Sequence, residues 1–147
     1  MIWSRRSTTM GKISLEDRFA IIDLCSVYNY TVDQADGEGW AATFTEDGVF
    51  AGPAGQAEGR EALVAFCGQL AEAFPGGMHF TDNHLFEIDG DTCQHKCFLD
   101  FKVPSPDGSV ASVLLGYEDV IVKVNGEWLF QRRDVVSVTG YQQSLPD

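Results

Sequence analysis

The stretch 89–108 reads DGDTCQHKCFLDFKVPSPDG. Each end is an Asp-Gly dipeptide, a preferred choice where a β-hairpin needs positive φ. Between them Cys93, His95, Cys97, Leu99, Phe101 and Val103 alternate with Gln94, Lys96, Asp100 and Lys102. A period of two with one apolar side is the mark of a strand with one buried and one wet face. A third turn signal, Asn125-Gly126, falls at the same spacing further on. The runs 78–88, 91–103, 110–124 and 127–138 are therefore expected to form consecutive antiparallel strands. Strands of this length exceed the usual ~5–6 residues. They must twist and curl, which makes the sheet concave.

Upstream the period changes. Ser14 precedes Leu15-Glu16-Asp17, an N-cap with acid in the first turn. The helix it starts is expected to run to about Asp36, before Gly37 and Gly39. At 100° per residue, Glu16, Asp23 and Gln34 share the expected solvent face. Leu15, Phe19, Ile22 and Ser26 form a second stripe that includes Asp33, which sets that carboxylate in line with positions expected to be buried. A short helix around Trp40 (39–44), a brief strand at Val49-Phe50, a loop over 51–59 and a helix over 60–74 complete the first half. The glycines of 51–59 lack the sequence context of a phosphate cradle. Helices followed by an antiparallel meander predict an α+β fold, with helices packed on one side of a curved sheet and a pocket between the layers.

Length and composition set bounds around that picture. The chain has 147 residues, enough for one domain. The expected domain spans 13–139, with a disordered extension over 1–12 and a tail over 140–147. MIWSRRSTT is basic and polar, and no apolar run follows Arg5-Arg6 as a twin-arginine signal would need. With 22 acidic against 10 basic residues the net charge is −12, which argues against nucleic acid or an anionic membrane as partner. No stretch approaches the ~20 apolar residues of a membrane-spanning helix. The 4 cysteines follow no disulfide-framework or zinc-ribbon spacing, as expected of a cytoplasmic protein. Cys93, His95 and Cys97 share a strand face, but positions four apart on a strand are ~13 Å apart, too far to share one zinc. No metal and no cofactor are expected.

Three sets of polar groups are candidates for the pocket: Asp33 at the first helix end, His79 at the start of the first long strand, and Tyr28, Tyr30 and Asn83. Each has an ordinary alternative, namely a solvated carboxylate, a structural histidine and tyrosines that simply pack. Strict alternation creates a conflict, because Phe86 and Ile88 take one side of their strand and His79 the other. A β-bulge at Thr81-Asp82-Asn83 resolves it, and bulges occur beside active sites.

The spaced pattern A20-I-I-D-L-C-S26, Tyr28-x4-Asp33, Trp40-Ala41-x2-Phe44-x2-Asp47, Gly59-Arg60-x2-Leu63, His79-x3-Asn83, Asp89-Gly90-Asp91, Gly116-Tyr117-x-Asp119 and Asn125-Gly126-x-Trp128-x-Phe130-x-Arg132-Arg133 resembles the SnoaL-like branch of the nuclear transport factor 2-like superfamily. Within that branch it is most similar to the hexachlorocyclohexane dehydrochlorinase and bile-acid dehydratase families. The resemblance implies a cone-shaped fold and a His–Asp dyad at His79 and Asp33. It implies a cofactor-independent lyase, or an isomerase, acting on a small apolar, even polycyclic, molecule. An imidazole of pKa ~6.5 is a serviceable base at neutral pH. Tyr28, Tyr30 or a pocket arginine would support the leaving group or enolate. Arg132 shares strand parity with Trp128 and Phe130 and is preferred to Arg133. Phe44, Phe50, Phe80 and Tyr117 are expected to line the pocket with Tyr30 and Asn83. The alternatives that the resemblance allows are aldol chemistry of the polyketide-cyclase kind and a non-catalytic ligand-binding or accessory subunit. It also implies a homodimer or homotrimer.

Overall fold

The computed structural model describes residues 13–138. The expected extension and tail lie outside the described residues. The chain runs α1 (Leu15–Asp33), α2 (Gly37–Ala41), β1 (Phe44–Gly52), β2 (Gly55–Glu58), α3 (Arg60–Ala73), β3 (Met78–Asp89), β4 (Thr92–Pro104), β5 (Val110–Val124) and β6 (Glu127–Ser137). All six strands join one curved, open sheet in the order β2-β1-β6-β5-β4-β3. β3 to β6 form the expected antiparallel meander, and β1 pairs with β6 in parallel.

The turn chemistry sets this register. Asn125 and Gly126 take φ of 52° and 83°, the left-handed pair that a tight hairpin requires. From the Asp107-Gly108 turn the ladder places His95 opposite Asp119 and Leu99 opposite Leu115. The inward face of β4 is the one expected, with Cys93, His95, Cys97 and Leu99 all buried.

The α1 N-cap also forms as expected, the Ser14 hydroxyl accepting from the Asp17 N–H at 3.0 Å. The buried face of α1 does not. Leu15 and Phe19 are 72% and 62% exposed, and the helix packs through Ile21, Leu24, Cys25, Tyr28 and Val32. α1 carries apolar residues on both faces, so its periodicity alone does not select the inner one. The expected loop over 51–59 is instead the turn and second strand of the β1–β2 hairpin. The strand expected at Val49-Phe50 extends from Phe44 to Gly52, so the short helix around Trp40 ends at Ala41.

α1 lies antiparallel along β3, and the contacts between them follow in order. Asp33 meets His79, Asn29 donates to Thr81, and Arg18 caps the Phe86 ring. The Trp128 indole and the Lys123 ammonium both hold Asp17, which ties the start of the helix to β5 and β6. A cluster of rings from Tyr28, Trp40, Phe44, Phe50, Phe66 and Phe130 fills the space between helices and sheet. No helix of the described residues is long and apolar enough to cross a membrane.

Candidate active site

One cavity of about 370 Å³ opens between the helices and the concave face. Its wall is mostly apolar, with Leu70 from α3, Phe74 from the cap that ends it, Leu99 and Phe101 from β4 and Leu115 from β5. Tyr28, Asp33, His79 and Tyr117 bring the polar groups.

The bulge in β3 places His79 there. Asp82 pairs with Phe98 and Leu85 with Lys96, so β3 carries one extra residue across that interval. Asn83 absorbs it at φ 57°. The alternation inverts at that point, and His79 and Phe86 both face inward. The expected bulge is therefore present where the conflict of parity requires it.

His79 Nδ1 lies 2.6 Å from Asp33 Oδ1. The His79 backbone N–H also donates to Oδ2 at 3.0 Å and to Oδ1 at 3.2 Å. A carboxylate on Nδ1 holds the proton there and leaves Nε2 as the basic nitrogen. The side chains are 13% and 16% exposed, so the pair is enclosed yet reachable. Phe101 packs its ring 4.5 Å from the imidazole, and Tyr28 meets it edge-on at 6.4 Å. Gly77 makes room for that arrangement, since a Cβ there would sit 2.7 Å from the Phe101 ring.

Burial raises the pKa of Tyr28, and that of Tyr117 well above its ordinary value. Both phenols keep their protons and can act as O–H donors. Behind them lies Arg133, fully buried, with its guanidinium carbon 3.7 Å from the Tyr117 ring centre and 4.4 Å from that of Tyr28. Arg132 is not in the pocket. It is exposed and pairs with Asp134 at 2.9 Å. The reason is a second bulge. Val120 pairs with Arg132 but Ile121 with Phe130, so Gln131 is the extra residue. Parity counted from Trp128 and Phe130 therefore selects the wrong arginine.

The other expected lining residues divide. Phe50 and Tyr117 border the cavity. Phe44 is buried in the ring cluster behind it, against Tyr28 and Trp40. Tyr30 is 70% exposed, and Phe80 lies on the outer side of β3, as alternation requires. Asn83 is exposed at the bulge, facing a second, outer cavity. Val32, Phe74, Leu115 and Val135 line the pocket without having been anticipated. Leu99 and Phe101 were recognised as inward-facing, which was the available signal.

A second histidine network lies outside this cavity. His95 Nδ1 is 2.7 Å from Asp119 Oδ2, and Arg133 donates to both Asp119 oxygens at 2.8 and 3.0 Å. Burial pushes the Asp119 carboxyl up, but Arg133 and His95 outweigh it and hold it below the usual value. Cys25 and Cys97 lie within 3.8 and 4.0 Å of the same guanidinium nitrogen. A hydrogen bond from Cys97, assisted by His84 and Arg133, holds the Cys25 thiol well below its ordinary value against the effect of burial.

Helices closing a curved mixed sheet over an apolar chamber define the cystatin-like, nuclear transport factor 2-like class. Within it the chain belongs to the SnoaL-like domain family, whose pattern it matches over residues 14–134. It is similar to a Mycobacterium tuberculosis protein of unknown function, at 30% identity over 82% of this chain and 70% of that one, with a TM-score of 0.77. A nuclear transport factor 2-like protein from Novosphingobium aromaticivorans is 27% identical, with 86% and 84% covered and a TM-score of 0.78. A putative scytalone dehydratase from the same organism is 25% identical, with 82% and 83% covered and a TM-score of 0.73. No curated protein matches the chain.

Proposed function

We propose that the protein is a cofactor-independent lyase or isomerase that abstracts a proton from carbon on a small apolar substrate. The observation that carries this reading is the His79–Asp33 pair, 2.6 Å apart, on the wall of an apolar chamber of about 370 Å³. Such a volume lies at the lower end of small-molecule sites, which run about 300–1,000 Å³. The chemistry needs a base, a group that orients it and a place for developing negative charge. His79 Nε2 takes the proton. Asp33 keeps the ring in the right tautomer and stabilises the imidazolium, as the carboxylate of a catalytic triad does. In an elimination the C–H electron pair becomes the new double bond and the leaving group departs with its own bonding pair. If that group is hydroxide, it recovers the proton from His79 and leaves as water. In an isomerisation the proton returns to a different carbon. The protonated phenols of Tyr28 and Tyr117 are the donors available to an enolate or leaving oxygen.

The family includes dehydratases, isomerases and cyclases, and a similar protein carries the name putative scytalone dehydratase. That company supports elimination over a purely structural role. Accessory binding subunits need no base paired to a carboxylate.

The test is a panel of cyclic hydroxy ketones and halogenated rings, followed by formation of the double bond and by uptake of deuterium at the acidic carbon in D2O. The protein should accelerate one of these. The substitution His79→Ala should reduce turnover by about 10²–10⁴-fold with the melting temperature almost unchanged. Turnover that survives His79→Ala, or a domain that melts without the ring, ends this reading.

A further inference from the structure

We propose that Cys25, His84 and His95 form a binding site for one borderline transition cation of the Zn2+ kind, between α1 and the bulged part of the sheet and separate from the catalytic chamber. One donor atom from each of the three residues lies within 4.8 Å of the other two. A tetrahedral ion with Zn–N of ~2.0–2.1 Å and Zn–S of ~2.3 Å needs its donors roughly 3.3–3.6 Å apart. His84 Nδ1 and His95 Nε2 are already 3.0 Å apart. They must open by a few tenths of an ångström, while the Cys25 sulfur closes by at most about one.

The supporting groups are those a metal site requires. His95 gives its Nδ1 to Asp119 at 2.7 Å, which fixes the tautomer and aims Nε2 at the cluster. Asp119 is anchored in turn by Arg133 through both oxygens. The carboxylate neutralises the guanidinium, so the net charge facing the ion is that of the Cys25 thiolate. The two imidazoles stack with centroids 5.2 Å apart at 24°, which leaves them little rotational freedom. Without an ion the facing nitrogens of His84 and His95 share a single proton. An ion takes the place of that proton, and His84 then carries its own on Nε2. One thiolate and two imidazoles suit zinc or copper rather than calcium or magnesium, which take oxygen.

The ion has a way in. Cys25 and His95 are fully enclosed, but His84 is only half-buried and lines the outer cavity with Asn83, Cys97 and Phe98. Three protein donors leave the fourth tetrahedral position open to another ligand. The bulge that turns His79 into the chamber also turns His84 towards Cys25, so one distortion of β3 serves both clusters. Sequence spacing does not reveal this site, because its donors come from α1, β3 and β4.

The experiment uses the full chain after treatment with a chelator. Calorimetry with Zn2+ should show roughly one equivalent bound. Co2+ should produce a thiolate-to-metal charge-transfer band in the near ultraviolet. The conservative change Cys25→Ser should remove that band, and His84→Gln, near the surface, should weaken Zn2+ binding about tenfold or more. Circular dichroism checks that both variants fold. The substitution His79→Ala should leave metal uptake unchanged, which keeps this result apart from the catalytic reading. Absence of both heat and band in the wild-type chain overturns the proposal. So does uptake that persists in both ligand variants, or that disappears with His79→Ala.

Discussion

His79–Asp33 and His95–Asp119 are the same chemical pair, joined through Nδ1 at 2.6 and 2.7 Å, in opposite surroundings. The first borders an apolar chamber at 13% and 16% exposure. The second has no exposed surface and is locked from behind by Arg133. The hydrogen bond alone therefore says little about purpose. What differs is the other imidazole nitrogen. That of His79 belongs to a ring on the chamber wall, where a substrate can reach it. That of His95 is already engaged by His84. The His79–Asp33 pair borders space that a guest can occupy, whereas the His95–Asp119 pair meets only side chains of the protein itself.

Making the same substitution in both carboxylates tests that contrast most strongly. Asp119→Ala strands the buried Arg133 charge and should cost about 3–5 kcal/mol, read by chemical denaturation. Asp33→Ala should cost only about 1–2 kcal/mol, the scale of a lost partly buried hydrogen-bond partner, while turnover collapses. Equal stability losses would mean that the two carboxylates serve the fold alike. A smaller effect follows from acid. The Asp119 carboxyl is held below its unfolded value of ~3.9, so its contribution is complete above that pH and is lost as pH falls through the lower folded value. Denaturation curves should weaken steeply below about pH 4, and the Asp119→Ala variant should lose that steepness. The smallest effect is expected at Arg132, whose exposed pair with Asp134 is worth about 0–1 kcal/mol. Arg132→Ala should leave both turnover and melting temperature close to wild type. A large loss of turnover would return this arginine to the site.

Much of this was legible in the sequence, for definite reasons. Two Asp-Gly turns, one Asn-Gly turn and the clean alternation of β4 located the meander to within a residue or so at most strand ends. A conflict of parity between His79 and Phe86 located the first bulge, because the alternative was a wet histidine or a wet phenylalanine. At β6 no such conflict exists. Gln131 is an ordinary strand residue, and both neighbouring arginines can face water, so nothing in the sequence marks the second bulge. The His95–Asp119 pair was legible only to within one residue. A two-residue turn at Asp107-Gly108 would set His95 against Val120, and the three-residue loop that forms shifts its partner to Asp119. The inner face of α1 was not accessible, since Leu15 and Phe19 are as apolar as the residues that actually pack.

Asn83 introduces a change of phase into β3. Two residues upstream and two downstream of it, odd and even positions exchange meaning. Deleting Asn83 would not merely shorten the strand. It would return His79 or Phe86 to the convex side, with loss of the contact to Asp33 or of the hydrophobic packing according to which half kept its place. Any attempt to graft this chamber onto another curved sheet must therefore transplant the irregularity along with the histidine.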